Sequence, residues 1–245
     1  MINLYKDDVK EVKDFLIYNL GKINIVFSTA KDDRSFNRHK DYGIDNLNSI
    51  IRDFNLKSVE YLNQIHSDKV YIYDNSNKSI KDEEGDALIT NEENTAIGVF
   101  TADCVPIIIA DVKNNVIASI HSGWRGTFNS IVIRTLEKMV SEFNIDINAT
   151  KIFIGPHIRQ CCYEVSEELK ESFIEKTKIN RDLLFKGRNL SMEECILKDL
   201  RGFGIREDNI YSLKLCTHCE ENLKLYSYRR SVGTYGRLFS FAFIK

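Results

Sequence analysis

Apolar positions along this chain follow two periods. Between residues 46 and 56, Leu47, Ile50, Ile51 and Phe54 recur at helical spacing, so "NLNSIIRDFNL" predicts an amphipathic helix. Elsewhere the runs are short and alternating, or apolar throughout, which predicts strands. They are "IVFST" (25–29), "VEYLNQIH" running into a polar turn, "KVYIYD" (69–74) and "DALIT" (86–90). The most apolar stretch, "AIGVFTADCVPIIIAD" (96–111), predicts two strands broken at "TADC", because Pro106 has no N–H to give to a central ladder. "VIASIH" (116–121) is a third run, reached through the hairpin-like turn "KNN".

In the second half, "TFNSIVIRTLEKMVSEF" (127–143) predicts one helix with Thr127 as its N-cap. "KIFIGP" reads as a strand. "SEELKESFIEKT" (166–177) reads as a helix capped by Ser166, with Glu167 and Glu168 suited to its positive first turn. "MEECILKDLRGFG" (192–204) is a further helix ending on glycines, and "NIYSLKL" and "FSFAFI" are closing strands. Strands dominate and no strict βαβ alternation appears, which predicts an α+β fold of packed sheets with helices outside. No repeat, low-complexity tract or Gly/Ser linker marks a boundary, so residues 1–245 are expected to form a single domain.

Composition narrows the function classes. The chain is 43% hydrophobic and 29% charged, an ordinary globular balance, with enough length for one substantial core. A formal net charge of -2 favours neither nucleic acid nor an anionic membrane. No apolar run reaches the roughly 18–20 residues of a membrane span. The first twenty residues mix acids and bases, unlike a secretory signal. A cytoplasmic location is therefore expected, with the six cysteines reduced. A small-molecule partner comes first, and no obligate protein partner is evident.

Three polar clusters stand at the ends of apolar runs: "NQIHSDKV", "TADCVP" and "IHSGWRG". Each contributes one soft or borderline ligand, His66, Cys104 and His121. Two histidines and a cysteine suit zinc, whose catalytic sites keep one position open for water. Spacing alone leaves two other readings open. The histidines are backbone-bonded and Cys104 is a buried small hydrophobe, or Cys104 is a nucleophile with His121 as its base.

Six ordered motifs add a resemblance: "NQIHSDKV", "GDALIT", "TADCVPIIIAD", "IASIHSGWRGT", "IGPHIRQCCYEV" and "LYSYRR…GRLFSFAFI". Together they make the chain, from about residue 59 onward, similar to the bacterial YfiH/YlmD-like laccase-domain proteins. That family was long labelled polyphenol oxidase and is related to the human laccase-domain protein FAMIN. The resemblance implies an α/β/β/α sandwich with mixed sheets. It also implies a zinc-dependent enzyme that phosphorolyses adenosine, inosine and methylthioadenosine and deaminates adenosine. Its His, Cys and His metal ligands fall on His66, Cys104 and His121. The N-terminal segment departs from the family, having only Gly43 where a Gly-rich stretch is usual, and "HSGWRG" carries serine for the commoner alanine.

Around the ligand set, Gly123 and Gly126 are expected to let the backbone turn tightly, with Trp124 walling the pocket or packing on the following helix. Arg125 is expected to face an anion or to pair with Asp103. Asp103 orients a ligand, carries protons or is structural. Gln64 binds substrate or bonds nearby backbone. Of Arg229 and Arg230, at most one faces the site and takes phosphate, a surface ion pair being the alternative. Cys216 and Cys219 have the pair spacing of half a zinc ribbon and Cys161 and Cys162 could supply the rest, yet extended chain points vicinal cysteines apart, so buried thiols, not a structural four-cysteine zinc site, are the default. Copper fits less well than zinc, since multicopper oxidases use many more histidines than the five here.

Overall fold

Strands that are apolar on both faces need cover on both, and the computed structural model supplies it in four layers. It describes residues 1–76, 79–231 and 236–245. The first half contains β1 (Ile2–Leu4), β2 (Lys10–Val12), β3 (Phe15–Leu20), β4 (Ile23–Ser28), α1 (Asp41–Phe54), β5 (Ser58–Glu60), β6 (Val70–Ile72) and β7 (Ala87–Thr90). The middle contains β8 (Thr95–Thr101), β9 (Val105–Asp111), β10 (Val116–Ser122), α2 (Trp124–Phe128), α3 (Ile131–Phe143) and β11 (Lys151–Ile154). The last third contains α4 (Glu167–Thr177), α5 (Arg181–Leu184), β12 (Phe185–Lys186), β13 (Asn189–Leu190), α6 (Met192–Phe203), β14 (Ile210–Leu213) and β15 (Leu238–Ile244). None of the described helices is long and apolar enough to cross a membrane.

One mixed sheet has the order β1-β14-β11-β9-β10-β7-β6, the other β2-β3-β4-β15-β8-β5, with a small β12-β13 hairpin beside them. Strand alternation sorts the side chains into layers. In β9, Ile107 and Ile109 join the core under α3 and α6, whereas Ile108 and Ala110 join the core between the sheets. In β15, Ala242 and Ile244 face between the sheets, while Phe239, Phe241 and Phe243 meet Leu47 and Ile50 of α1. Each buried Ile, Leu or Phe among them contributes about 1.5–3 kcal/mol relative to exposure. The layering is the α/β/β/α sandwich expected.

Several local expectations need correction. The helix expected over 127–143 is two helices, because Ser130 adopts a left-handed conformation (φ 56°) between α2 and α3. Thr127 lies inside α2 and caps nothing; its hydroxyl meets that of Ser122 at 2.8 Å, a buried pair. Ser166, by contrast, caps α4 through Leu169 N–H at 3.2 Å. The strand expected in "VEYLNQIH" stops at Glu60. Pro106 is tolerated in a central strand because it sits at the mouth of β9, opposite His121.

Connectivity places the site. β8 belongs to the six-stranded sheet and β9 to the seven-stranded one, so residues 102–104 carry the chain across from one sheet to the other. Backbone that leaves one ladder before joining the next is free to take unusual conformations, and Asp103 does, at φ 95°.

Candidate metal centre and substrate cavity

His66, Cys104 and His121 arrive from three separate places and converge. Their ligand atoms all lie within 4.8 Å of one another. Cys104 Sγ is 3.8 Å from His66 Nε2, and the two imidazoles stand edge to face with centroids 4.7 Å apart. His121 is held at the end of β10 and Cys104 at the crossing into β9, whereas His66 sits in an irregular loop at φ 61°. A non-glycine residue in that region costs of order 1–3 kcal/mol and needs support from its surroundings.

The support is Asp86, fully buried just before β7. Its carboxylate accepts from the backbone N–H groups of Ile65 (3.3 Å), His66 (3.0 Å) and Ser67 (2.6 Å), and from the Ser67 hydroxyl (2.7 Å). The same group lies 2.7 Å from His121 Nδ1. A carboxylate accepts, so Nδ1 carries the proton and Nε2 is left with its lone pair toward Cys104 and His66. Burial resists the charge on Asp86, but His121 and Ser67 outweigh it and hold the carboxyl below its usual range. Burial likewise opposes a Cys104 thiolate, yet the neighbouring His121 and His66 pull that thiol down to about 6. His121 is raised to about 9, since the Cys104 thiolate and Asp86 overcome its burial.

Gly123 serves proximity here, not an unusual turn. A Cβ at this position would lie 2.8 Å from His66 Cδ2 and 3.2 Å from Cys104 Sγ. Its φ is -72°, and Gly126 is simply helical within α2, so neither glycine makes the tight turn expected of the pair.

The three donors open on a cavity of about 690 Å³, within the range of small-molecule sites. Its lining combines apolar or aromatic side chains (Trp124, Ile158, Tyr163, Leu169 and Met192) with the guanidinium groups of Arg38, Arg229 and Arg237 and the imidazole of His39. Tyr163 stays a neutral phenol, pushed up to about 12 by burial and by the nearby Cys104 and Asp103. His39 is held below its usual range by burial and by Arg38 and Arg237. Arg38 reaches the carbonyls of Leu62 (3.4 Å) and Lys81 (3.2 Å) and the Asn63 amide, so its position is fixed. Gly43 helps place it: a Cβ there would fall 2.0 Å from Asn37 O, so only glycine lets α1 pack on the 37–40 segment.

The remaining expected site residues divide. Asp103 lines the cavity, but its two oxygens are taken by the Thr217 hydroxyl (2.6 Å) and the Arg229 backbone N–H (2.8 Å). Gln64 also lines it, with both ends of its amide bonded to the Phe100 backbone at 2.7 and 2.8 Å. Arg229 faces the cavity, 5.1 Å over the Tyr163 ring, and bonds Glu164 O at 2.6 Å. Arg230 turns away to the carbonyls of His218 and Leu225, and the two arginines lie in a turn, not a strand. Arg125 is exposed over the Trp124 ring, because α2 carries it outward, and it does not pair with Asp103. Asp86, Tyr163 and the Asn37–His39 segment were missed as site residues from the sequence.

The architecture is that of a small enzyme-sized cavity with a His, Cys, His donor set at the junction of two sheets. In fold it matches the crystal structure of the Bacillus licheniformis hypothetical protein YfiH, with TM-score 0.88 over 96% of this chain and 98% of that one, at 21% identity. In sequence, residues 35–245 match the family described as multi-copper polyphenol oxidoreductase laccase, and the chain belongs to that family. A purine nucleoside phosphorylase of Clostridium acetobutylicum is 40% identical over 227 residues, covering 93% of this chain and 94% of its relative. An adenosine deaminase, RL5, from an unknown prokaryotic organism is 30% identical over 190 residues, covering 72% of this chain and 71% of that protein.

Proposed function

We propose that this chain is a cytoplasmic, zinc-dependent purine nucleoside enzyme acting as one domain over residues 1–245. It cleaves adenosine, inosine and methylthioadenosine with phosphate to the free base and the (methylthio)ribose 1-phosphate, and it also deaminates adenosine. One observation carries the reading: His66, Cys104 and His121 present their donors together on the wall of a cavity lined by both apolar or aromatic side chains and arginines. The names of its relatives agree with both activities.

The donor set fits zinc, with one thiolate, two imidazoles and a carboxylate fixing the tautomer of His121. When bound, the ion supplies a Lewis acid that activates water at neutral pH. Copper oxidase chemistry is disfavoured by the donors, since five histidines are too few for a multicopper cluster.

The chain's own residues do the rest. Trp124, Tyr163, Leu169 and Met192 give the purine an apolar wall and aromatic faces to lie against. Arg229, Arg38 and Arg237 attract phosphate, whose geometry suits guanidinium forks. His39, whose protonation is disfavoured by burial and by Arg38 and Arg237, lies beside them as a further hydrogen-bonding group for the anion. Asp103 is a positioning residue, holding the Arg229 backbone against the cavity. In phosphorolysis a phosphate oxygen bonds to the anomeric carbon as the purine nitrogen leaves. In deamination the oxygen of water replaces the amino group on the purine ring, and ammonia departs.

A second reading is favoured by one observation, the line Asp86–His121–Cys104, which also suits a metal-free cysteine nucleophile with a histidine base. His66 separates the two, because the hydrolase has no use for it. The deciding experiment is metal analysis of the purified chain with adenosine assays in the presence and absence of phosphate. Zinc, adenine and ribose 1-phosphate support phosphorolysis, and inosine supports deamination. Cys104→Ala and His66→Ala should each lose zinc and both activities; activity that survives chelation and the His66→Ala change would refute the zinc reading.

A further inference from the structure

The four cysteines outside the cavity form a second cluster. Cys161, Cys162, Cys216 and Cys219 place all their sulfurs within 4.8 Å of one another, and Cys161 Sγ lies 3.6 Å from Cys219 Sγ. A tetrahedral zinc site with Zn–S bonds of about 2.3 Å has sulfurs roughly 3.8 Å apart, so small adjustments close the set around an ion. All four are free thiols, and only Cys216 is buried; Cys161 and Cys219 are exposed.

The expectation that vicinal cysteines point apart fails for a local reason. Cys161 and Cys162 lie in a turn, with the N–H groups of Cys162 and Tyr163 both bonded to Arg159 O at 2.9 and 3.0 Å. A turn, unlike a strand, allows neighbouring side chains to share one side. The opposing loop runs alongside, through a parallel bridge between His157 and Cys216 that extends the β11–β14 pairing beyond its last residues. The sulfur of Cys216 accepts the backbone N–H of Arg159 at 3.4 Å, and the neighbouring amides of His218 and Cys219 also favour its thiolate. Amides turned onto the first sulfur of a C-x-x-C turn stabilise that sulfur as a thiolate, the form a metal ligates.

We propose that Cys161, Cys162, Cys216 and Cys219 form a second, structural zinc site with four thiolate ligands. It clamps two loops that build the cavity wall. One carries Ile158 and Tyr163. The other carries Thr217, whose hydroxyl holds Asp103 and through it the Arg229 segment. The ion has no open position in this arrangement and takes no part in the reaction.

The test uses the whole chain, purified under reducing conditions without chelator and loaded with zinc or with cobalt as a spectroscopic probe. The native protein should carry two equivalents of metal. Cys104→Ala should retain one, with the strong thiolate-to-cobalt charge transfer and tetrahedral ligand-field bands of a four-sulfur site. The double variant Cys161→Ser/Cys219→Ser should also retain one equivalent but lose that tetrathiolate signature. If the double variant fails to fold, the Cys104→Ala arm decides alone. A Cys104→Ala protein with no tightly held metal, or a native protein with a disulfide among these four cysteines, would overturn the proposal. Loss of activity in Cys104→Ala tests the other site and leaves this result readable.

Discussion

Replacing Asp86 with asparagine is the sharpest probe of the centre, because one buried carboxylate orients two of its three ligands. In the native protein Asp86 accepts five hydrogen bonds, one from His121 and four from residues 65–67. An amide of the same shape offers one oxygen and one NH2, so a donor must face a donor on one of the two sides. If the oxygen stays on His121, His66 N–H keeps it, but the amides of Ile65 and Ser67 and the Ser67 hydroxyl lose their acceptor, and the turn that flanks the left-handed backbone of His66 is loosened. If it turns to Ile65 and Ser67, both His121 Nδ1–H and the His66 backbone N–H are opposed, and the imidazole tips or changes tautomer. A hydrogen bond to a charged group is worth about 1.5–3 kcal/mol, and loss of a partner behind a ligating histidine typically costs 10–100-fold in metal affinity. Asp86→Asn should therefore weaken zinc binding by about that factor, measured by chelator competition, and lower turnover in parallel at limiting zinc. Wild-type affinity within twofold in a folded Asp86→Asn protein would refute the idea that this carboxylate builds the centre.

Gly123→Ala should also weaken zinc, by about tenfold or more, because the new methyl must displace His66 or Cys104; equilibrium unfolding should change by less than about 1 kcal/mol, since His66 is exposed and can swing away. Arg229→Ala should raise the KM for phosphate about tenfold while leaving phosphate-independent deamination near its native rate, a split that product analysis reads directly. Acid should destabilise the fold in two overlapping steps. Burial, ahead of the nearby charges, depresses His157 from 6.5 to about 4, so the unfolded chain takes the proton first and stability falls as pH drops from 6.5 toward 4. Glu193 is depressed from 4.5 to about 2, because His157, Arg159, Ser212 and Lys214 overcome its burial, and its contribution is lost between 4.5 and 2. Each step amounts to about 3 kcal/mol. Urea titrations across this range should show His157→Asn flattening the upper step and also shrinking the lower one, since His157 helps hold Glu193 down, and a profile unchanged by that variant would contradict the assignment.

What the sequence revealed depended on how much of each signal was local. β8, β9, β10 and β15 are apolar on both faces and were recognisable as unbroken runs, each bounded by polar residues. β1 and β2 were missed, being three residues long, largely exposed and mixed with charges, and β3 was missed beside them. The break between α2 and α3 was hidden because apolar spacing continues through it while the backbone at Ser130 does not. The ligand set was suggested by polar clusters at the ends of apolar runs and singled out by the family resemblance, since spacing alone cannot say that three distant side chains meet. Asp86 stood in a motif that was quoted, but only as the mouth of a strand; its value lies in what it accepts from residues twenty and thirty-five positions away.

The same reasoning explains why the cavity sits where it does. A chain crossing from one sheet to another must leave its ladder, and the backbone groups it frees need partners from outside the strand. At residues 102–104 side chains and neighbouring loops meet that need: Ile158 N–H bonds Asp103 O at 2.9 Å, Thr217 and Arg229 take the Asp103 carboxylate, and Cys104 is left to face His66. Each of these contacts draws a different loop to the crossing, so the segment that breaks the ladder also gathers the cavity's walls. In a centre built this way His121 stands on the sheet side, on the ladder of β10, whereas His66 and Arg229 stand on the loop side, on irregular backbone held by the side chains of Asp86 and Asp103. Substitutions on the loop side should therefore change affinity more than fold stability, whereas those at Asp86, which is buried and joins the two sides, should change both.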